Sequence, residues 1–82
     1  MEKRVIRTEK FLSKLKKIDK SYLDRVEKLV VKIIHNPEIG KPMMYDRKGT
    51  RELYLSPFRL SYVYFPHENK LIFLDIYHKN EQ

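Results

Sequence analysis

The stretch GTRELYLSPFRLSYVYF, Gly49 to Phe65, sets a carboxylate, a phenol and a guanidinium (Glu52, Tyr54 and Arg59) among residues suited to a core. Near the C-terminus His78 and Lys79 add an imidazole and an ammonium. Such a set either forms an ordinary solvated sheet face, with cross-strand ion pairs worth a few tenths of a kcal/mol, or a site that moves protons and holds an anion. Which of the two applies depends on whether the strands bring these groups to one side.

The segment reads as a strand, a tight turn and a second strand. With Ser56-Pro57 as a two-residue loop, Leu55 lies opposite Phe58, Tyr54 opposite Arg59, Leu53 opposite Leu60 and Glu52 opposite Ser61. Proline at the second loop position is unusual for the turns that two-residue hairpins prefer, and a one-residue bulge would undo the grouping. Leu53, Leu55, Phe58, Leu60 and Tyr62 then share the face to be buried, and Glu52, Tyr54 and Arg59 share the other. The PHEN loop sets Arg59 opposite Ile76, so that His78 falls on the same face as Arg59. The run LIFLDI is apolar on both faces and does not itself choose a side. The reading of this face as a catalytic site hangs on Arg59 and His78 projecting from it together, and opposite faces would finish that reading.

The elements that must carry these residues follow from periodicity. Arg4–Arg7 predicts a short first strand. From Thr8, a candidate N-cap, Phe11, Leu12, Leu15 and Ile18 follow helical spacing, with Lys10, Lys14, Lys16 and Lys17 on the other faces. A second helix starts at Ser21 with Asp24 completing a capping box, and Tyr22, Val26, Leu29 and Ile33 line one face, flanked by Leu23, Val30 and Ile34. It stops before Pro37. NPEIGKPMMYDRKG reads as a loop, and strands at about 50–55, 58–65 and 70–77 form an antiparallel meander. The expected fold is α+β, in the order β-α-α-β-β-β, with two N-terminal antiparallel helices on one face of a small, mainly antiparallel sheet.

At 82 residues the chain is a single domain, 1–82, because a chain this short cannot divide its core. No cysteine is present, which excludes a disulfide framework and fits a reducing cytoplasm. The charged start MEKRVIRTEK and the lack of an apolar run near the ~18 residues of a membrane span predict a soluble, unexported protein. Three histidines without paired spacing predict no metal site. The net charge of +7 is concentrated in the first 36 residues, where eleven basic side chains face five acidic ones. That field suits a polyanion or an acidic protein partner, and a solvated helix surface fits the composition equally well. His35 sits where a cation meets a helix C-terminus favourably. His67 lies in a turn, and Tyr45, Tyr62 and Tyr64 read as core or rim aromatics.

NPEIGKP, GTRELYL, PFRLSYVY and LIFLDIYHKNEQ together resemble the RelE/ParE superfamily of toxin–antitoxin toxins, in which a Gly precedes an alternating strand, an Arg opens the next, and a His or Arg with a neighbouring Lys closes the last. The likeness covers nearly the whole chain in element order, with its motifs in roughly the last 45 residues. It implies a type II toxin, commonly a ribosome-dependent mRNA endonuclease, neutralised by an acidic antitoxin and needing no cofactor. Cleavage of that kind is attack by a 2′-hydroxyl on the adjacent phosphate, so one proton is removed, one is donated, and charge on the phosphorane is stabilised. Carried onto this chain, the resemblance gives Arg59 the phosphorane, His78 the acid, and Lys79 the phosphate. Tyr54 or Tyr77 would stack on a splayed base, while Arg51, Lys14, Lys17 and Lys28 would meet RNA phosphates.

The departures are specific. Where some relatives have two basic residues on the strand after the glycine, this chain has Glu52 and Tyr54, and where another branch has a catalytic Glu after GKP it has Met43. Glu52 is then the candidate base by position, and its role as a salt-bridge partner of Arg59 or Arg51 stays equally open. Two alternatives on the same fold are a ParE-like gyrase inhibitor, which needs no acid–base residues, and a degenerate toxin that retains only antitoxin binding.

Overall fold

The computed structural model describes residues 3–44 and 49–81. The elements are β1 (Arg4–Arg7), α1 (Glu9–Lys16), α2 (Lys20–His35), β2 (Lys41–Pro42), β3 (Arg51–Leu55), β4 (Phe58–Phe65) and β5 (Lys70–His78), with 3-10 turns at Pro66–Glu68 and Lys79–Glu81. They form the expected α+β arrangement, two helices on one face of a mainly antiparallel sheet. Among the described residues the sheet has five strands in the order β1-β5-β4-β3-β2, and β1 pairs with β5 in parallel. Strand β2 lies inside the segment read from sequence as a loop; its two residues pair with Arg51 and Glu52, too short a run to show a period.

Thr8 starts α1 as expected. Its side chain accepts a hydrogen bond from the Phe11 N–H at 3.1 Å and donates one to the Leu74 carbonyl at 3.0 Å, so a single hydroxyl ends β1, caps the helix and grips β5. The cap of α2 is Asp19 rather than Ser21: its carboxylate accepts from the Ser21 N–H at 2.9 Å, and that bond holds the carboxyl below the usual range. The helical stripes bury Phe11 and Leu15 of α1 and Val26, Val30 and Ile33 of α2 against Leu60, Tyr62, Leu71, Phe73 and Ile76 of the sheet. Phe11 and Phe73 stack with ring centroids 5.4 Å apart. Leu12 departs from the expected stripe and is exposed.

The chain crosses from α2 to the sheet around one tyrosine. The buried Tyr62 hydroxyl donates to the Pro37 carbonyl and accepts from the Gly40 N–H, both at 2.8 Å, and burial pushes its pKa up. A β-carbon at position 40 would lie 2.6 Å from that hydroxyl oxygen, so only glycine fits. Gly49, which precedes β3, has a φ of 99°, a conformation side chains rarely adopt. Among the described residues no helix is long and apolar enough to cross a membrane. Of the three tyrosines assigned to core or rim, Tyr62 is in the core, Tyr64 packs against it, and Tyr45 lies outside the described residues.

Candidate functional site

The β3–β4 hairpin keeps the expected register: Leu55 with Phe58, Tyr54 with Arg59, Leu53 with Leu60 and Glu52 with Ser61. The Ser56-Pro57 bond is cis. Leu53, Leu55, Phe58, Leu60 and Tyr62 accordingly turn to the helices, and Glu52, Tyr54, Arg59 and Ser61 to the open face.

The β4–β5 pairing follows the expected register for only half its length. Phe65 pairs with Lys70, Tyr64 with Leu71, Val63 with Ile72 and Tyr62 with Phe73. The next pair is Ser61 with Asp75, which leaves Leu74 as an extra residue in a β-bulge. Beyond it every pair is displaced by one: Arg59 lies opposite Tyr77 rather than Ile76, and His78 lies opposite Phe58. His78 therefore turns to the helix-covered face, where its ring meets Phe58 edge-on at 6.0 Å, and Phe58 meets Tyr22 of α2 at 5.3 Å. The expected Arg59–His78 site is overturned.

A physical reason for the bulge is Asp75. Strict alternation from Leu71 and Phe73 would put this carboxylate in the core and Ile76 outside, and burying an unpaired charge costs several kcal/mol. With the bulge, Ile76 enters the core and Asp75 reaches Lys10 and Lys14 of α1 at 3.4 and 3.6 Å. An acidic residue in phase with Leu71 and Phe73 was the sequence signal that this strand changes face.

On the open face Glu52 is the one buried charged residue among those described, at 7 % exposure. The Tyr77 hydroxyl, on a ring 9 % exposed, donates to one of its oxygens, and the Arg59 guanidinium stands 3.6 Å from the other. Glu52 is thus engaged by a phenol and a cation, the salt-bridge role left open by sequence. Arg59 is half-buried, and its Nε has no hydrogen-bond partner. Tyr54 stands 52 % exposed, with the Lys79 ammonium 5.8 Å from its ring centroid. A hydrogen bond from Ser56 lowers the Tyr54 phenol pKa, and the charges of Lys79 and Arg59 act in the same direction.

Two open grooves meet at Glu52. One, of about 730 Å³, is lined by Ile39, Pro42, Met43, Leu53, Tyr54 and Arg59, among others. The second, of about 460 Å³, has Thr8, Lys10, Ser61, Asp75 and Tyr77 in its lining. Sequence reasoning missed Ser61, Asp75 and Lys10 as members of this face, because only the bulge brings the last two into it.

The remaining candidates are dispersed. Arg51 pairs with Tyr62, away from the open face, and donates to the carbonyls of Glu38 and Gly40 at 3.0 and 2.8 Å, bracing the crossing from α2. Lys14 is engaged by Asp75, and Lys28 pairs with Asp24 along α2 at 3.3 Å. Lys17 is exposed at the end of α1, His35 in the last turn of α2, and His67 in the turn before β5.

The sequence profile of the ParE toxin of type II toxin–antitoxin systems, parDE, matches residues 5–82. Among curated proteins no sequence relative is found. Solved structures share the fold. The toxin–antitoxin complex RelBE2 from Mycobacterium tuberculosis superimposes with a TM-score of 0.85 at 21% identity, covering 96% of this chain and 100% of that one. The intact RelBE complex of E. coli gives 0.80 at 17% identity, over 99% and 100% of the two chains. The archaeal RelE–RelB complex from Pyrococcus horikoshii OT3 gives 0.76 at 15% identity, over the whole of both.

Proposed function

The chain belongs to the family of ParE toxins of type II toxin–antitoxin systems, and from that premise we propose that it cuts mRNA on the ribosome, in the cytoplasm, and is held inactive by a cognate acidic antitoxin. The observation that carries this reading is the convergence of Arg59, Tyr54 and Lys79 at one sheet face, Arg59 and Tyr54 lining the larger of the two grooves that meet at Glu52. Arg59 neutralises the non-bridging oxygens of a phosphate under attack by its neighbouring 2′-hydroxyl, and Lys79 adds a second positive charge. Bases on either side of the scissile bond would enter the two grooves, one largely apolar and one hydroxyl-rich. The form of this reading expected from sequence, which required His78 on the same face, falls with the observed register, and what is proposed stands on Arg59, Tyr54 and Lys79 without the imidazole. The antitoxin partner is inferred from three solved relatives that are complexes with antitoxins and from the net charge of +7, which also suits ribosomal RNA.

The second reading is a gyrase inhibitor on the same fold. It is favoured by Glu52, which offsets the Arg59 charge, and by the departure of His78 to the other face, since an inhibitor needs no acid–base pair. Induced expression followed by toeprinting of translated message separates the two. Cut mRNA is expected, Arg59→Ala lowering the cleavage rate by about 10²–10³-fold and His78→Ala leaving it in place. Accumulation of cleaved DNA–gyrase complexes instead overturns the nuclease reading, and growth unaffected by expression identifies a toxin that keeps only antitoxin binding.

A further inference from the structure

With the imidazole on the other face, the proton for the departing 5′-oxygen must come from elsewhere. Among the described groups near Arg59, the Glu52 carboxylate is buried and already accepts the Tyr77 proton, so neither is placed to give one to an incoming substrate. The hydroxyls of Ser56 and Ser61 would leave alkoxides, which neutral water does not tolerate. Tyr54 differs on each count. It is half-exposed at the rim of the larger groove, directly across the hairpin from Arg59, and has Lys79 over its ring. Directly paired residues on one sheet face hold their β-carbons about 4.5–5.5 Å apart, so a phosphate held by Arg59 lies beside the phenol.

We propose that Tyr54 is the proton donor to the leaving group, and that Lys79 and Arg59 stabilise the phenolate it becomes; this rests on the nuclease reading above. The 2′-oxygen bonds to phosphorus and releases its proton to solvent. The bond from phosphorus to the 5′-oxygen breaks, its electron pair stays on that oxygen, and the oxygen takes the Tyr54 proton. The products are a 2′,3′-cyclic phosphate and a 5′-hydroxyl, and water returns a proton to the phenolate. The groups facing the Tyr54 hydroxyl are Ser56 on the turn, Lys79 after β5 and Arg59 on β4, with Glu52 two residues back on its own strand and Lys41 across the groove. The Ser56 hydrogen bond, and after it the charges of Lys79 and Arg59, lower the phenol pKa, which makes it a better proton donor. Cleavage should therefore fall as pH rises through the Tyr54 pKa.

The test is cleavage of ribosome-bound mRNA by wild type, Tyr54→Phe, Tyr54→Ala and Arg59→Ala, each checked for an unchanged melting curve. Tyr54→Phe keeps the ring and loses the proton, so a drop of about 10²–10⁴-fold with loss of the alkaline limb of the pH profile is expected. A Phe variant within about threefold of wild type, with only Tyr54→Ala impaired, means the ring merely stacks and overturns the proposal. If wild type leaves the message intact, the nuclease reading itself falls and takes this proposal with it. A second readout is free of turnover: in the phenolate absorbance titration, the component lost in Tyr54→Phe should move to higher pH in Lys79→Ala. An unmoved component overturns the role of Lys79.

Discussion

The two halves of β5 follow different rules. From Lys70 to Phe73 the strand is clasped between β1 and β4, and its pairing with β4 is the one that the length of the preceding turn dictates. From Asp75 to His78 it has lost β1, lies beside α1 and is displaced by one residue. The difference teaches that a turn sets register only as far as the first bulge. Here the bulge sits where distant groups converge: Thr8 donates its N–H to the Phe73 carbonyl and its hydroxyl to the Leu74 carbonyl. The site chemistry depends on the second half, since the bulge brings Tyr77 rather than His78 to Arg59.

The sharpest break of this comparison is Ile76→Ala. In the undisplaced register this side chain would face outward and its truncation would be nearly neutral. In the structure it is core, 2 % exposed, and the substitution should cost about 2–5 kcal/mol, read by urea or thermal unfolding. A loss below about 1 kcal/mol would return the strand to its simple alternation.

Thr8→Val tests what fixes the bulge. It keeps the shape of the side chain and removes both the helix cap and the bond to Leu74, so a loss of about 1–2 kcal/mol is expected, with Thr8→Ser recovering most of it. If the Thr8→Val variant were as stable as wild type, the bulge would be held by Asp75 and Ile76 alone.

The smallest effect belongs to the first half. Arg7, at the end of β1, makes a two-pronged ion pair with Glu27 of α2 at 2.7 and 2.9 Å, and this lowers the Glu27 pKa. A depressed folded-state pKa contributes stability above the unfolded carboxylate range and loses it as pH falls through the folded value. Both partners are substantially exposed, so Glu27→Gln should cost about 0.5–1 kcal/mol near neutral pH. The difference should vanish in acid, and a gap that persists there would mean packing rather than charge.

How much could be read from the chain beforehand follows the same division. The two helices were legible from their helical spacing, and the β3–β4 hairpin register from alternation on either side of a two-residue turn. Within the candidate site, Arg59, Tyr54 and Glu52 were grouped correctly for that reason. His78 was misplaced because its side depends on residues 66 positions apart meeting at one carbonyl. Only Asp75, a carboxylate out of place in an apolar rhythm, carried the warning. Arg51 lies one step of alternation from Glu52 and so on the other face, and β2 is too brief to have any period.

The contact between Gly40 and Tyr62 bears on inheritance. An alanine at 40 needs a smaller residue at 62, and that smaller residue abandons the polar atoms of Pro37 and Gly40, so neither position is free to drift without the other. In lineages descending from this chain the two should be lost together or kept together.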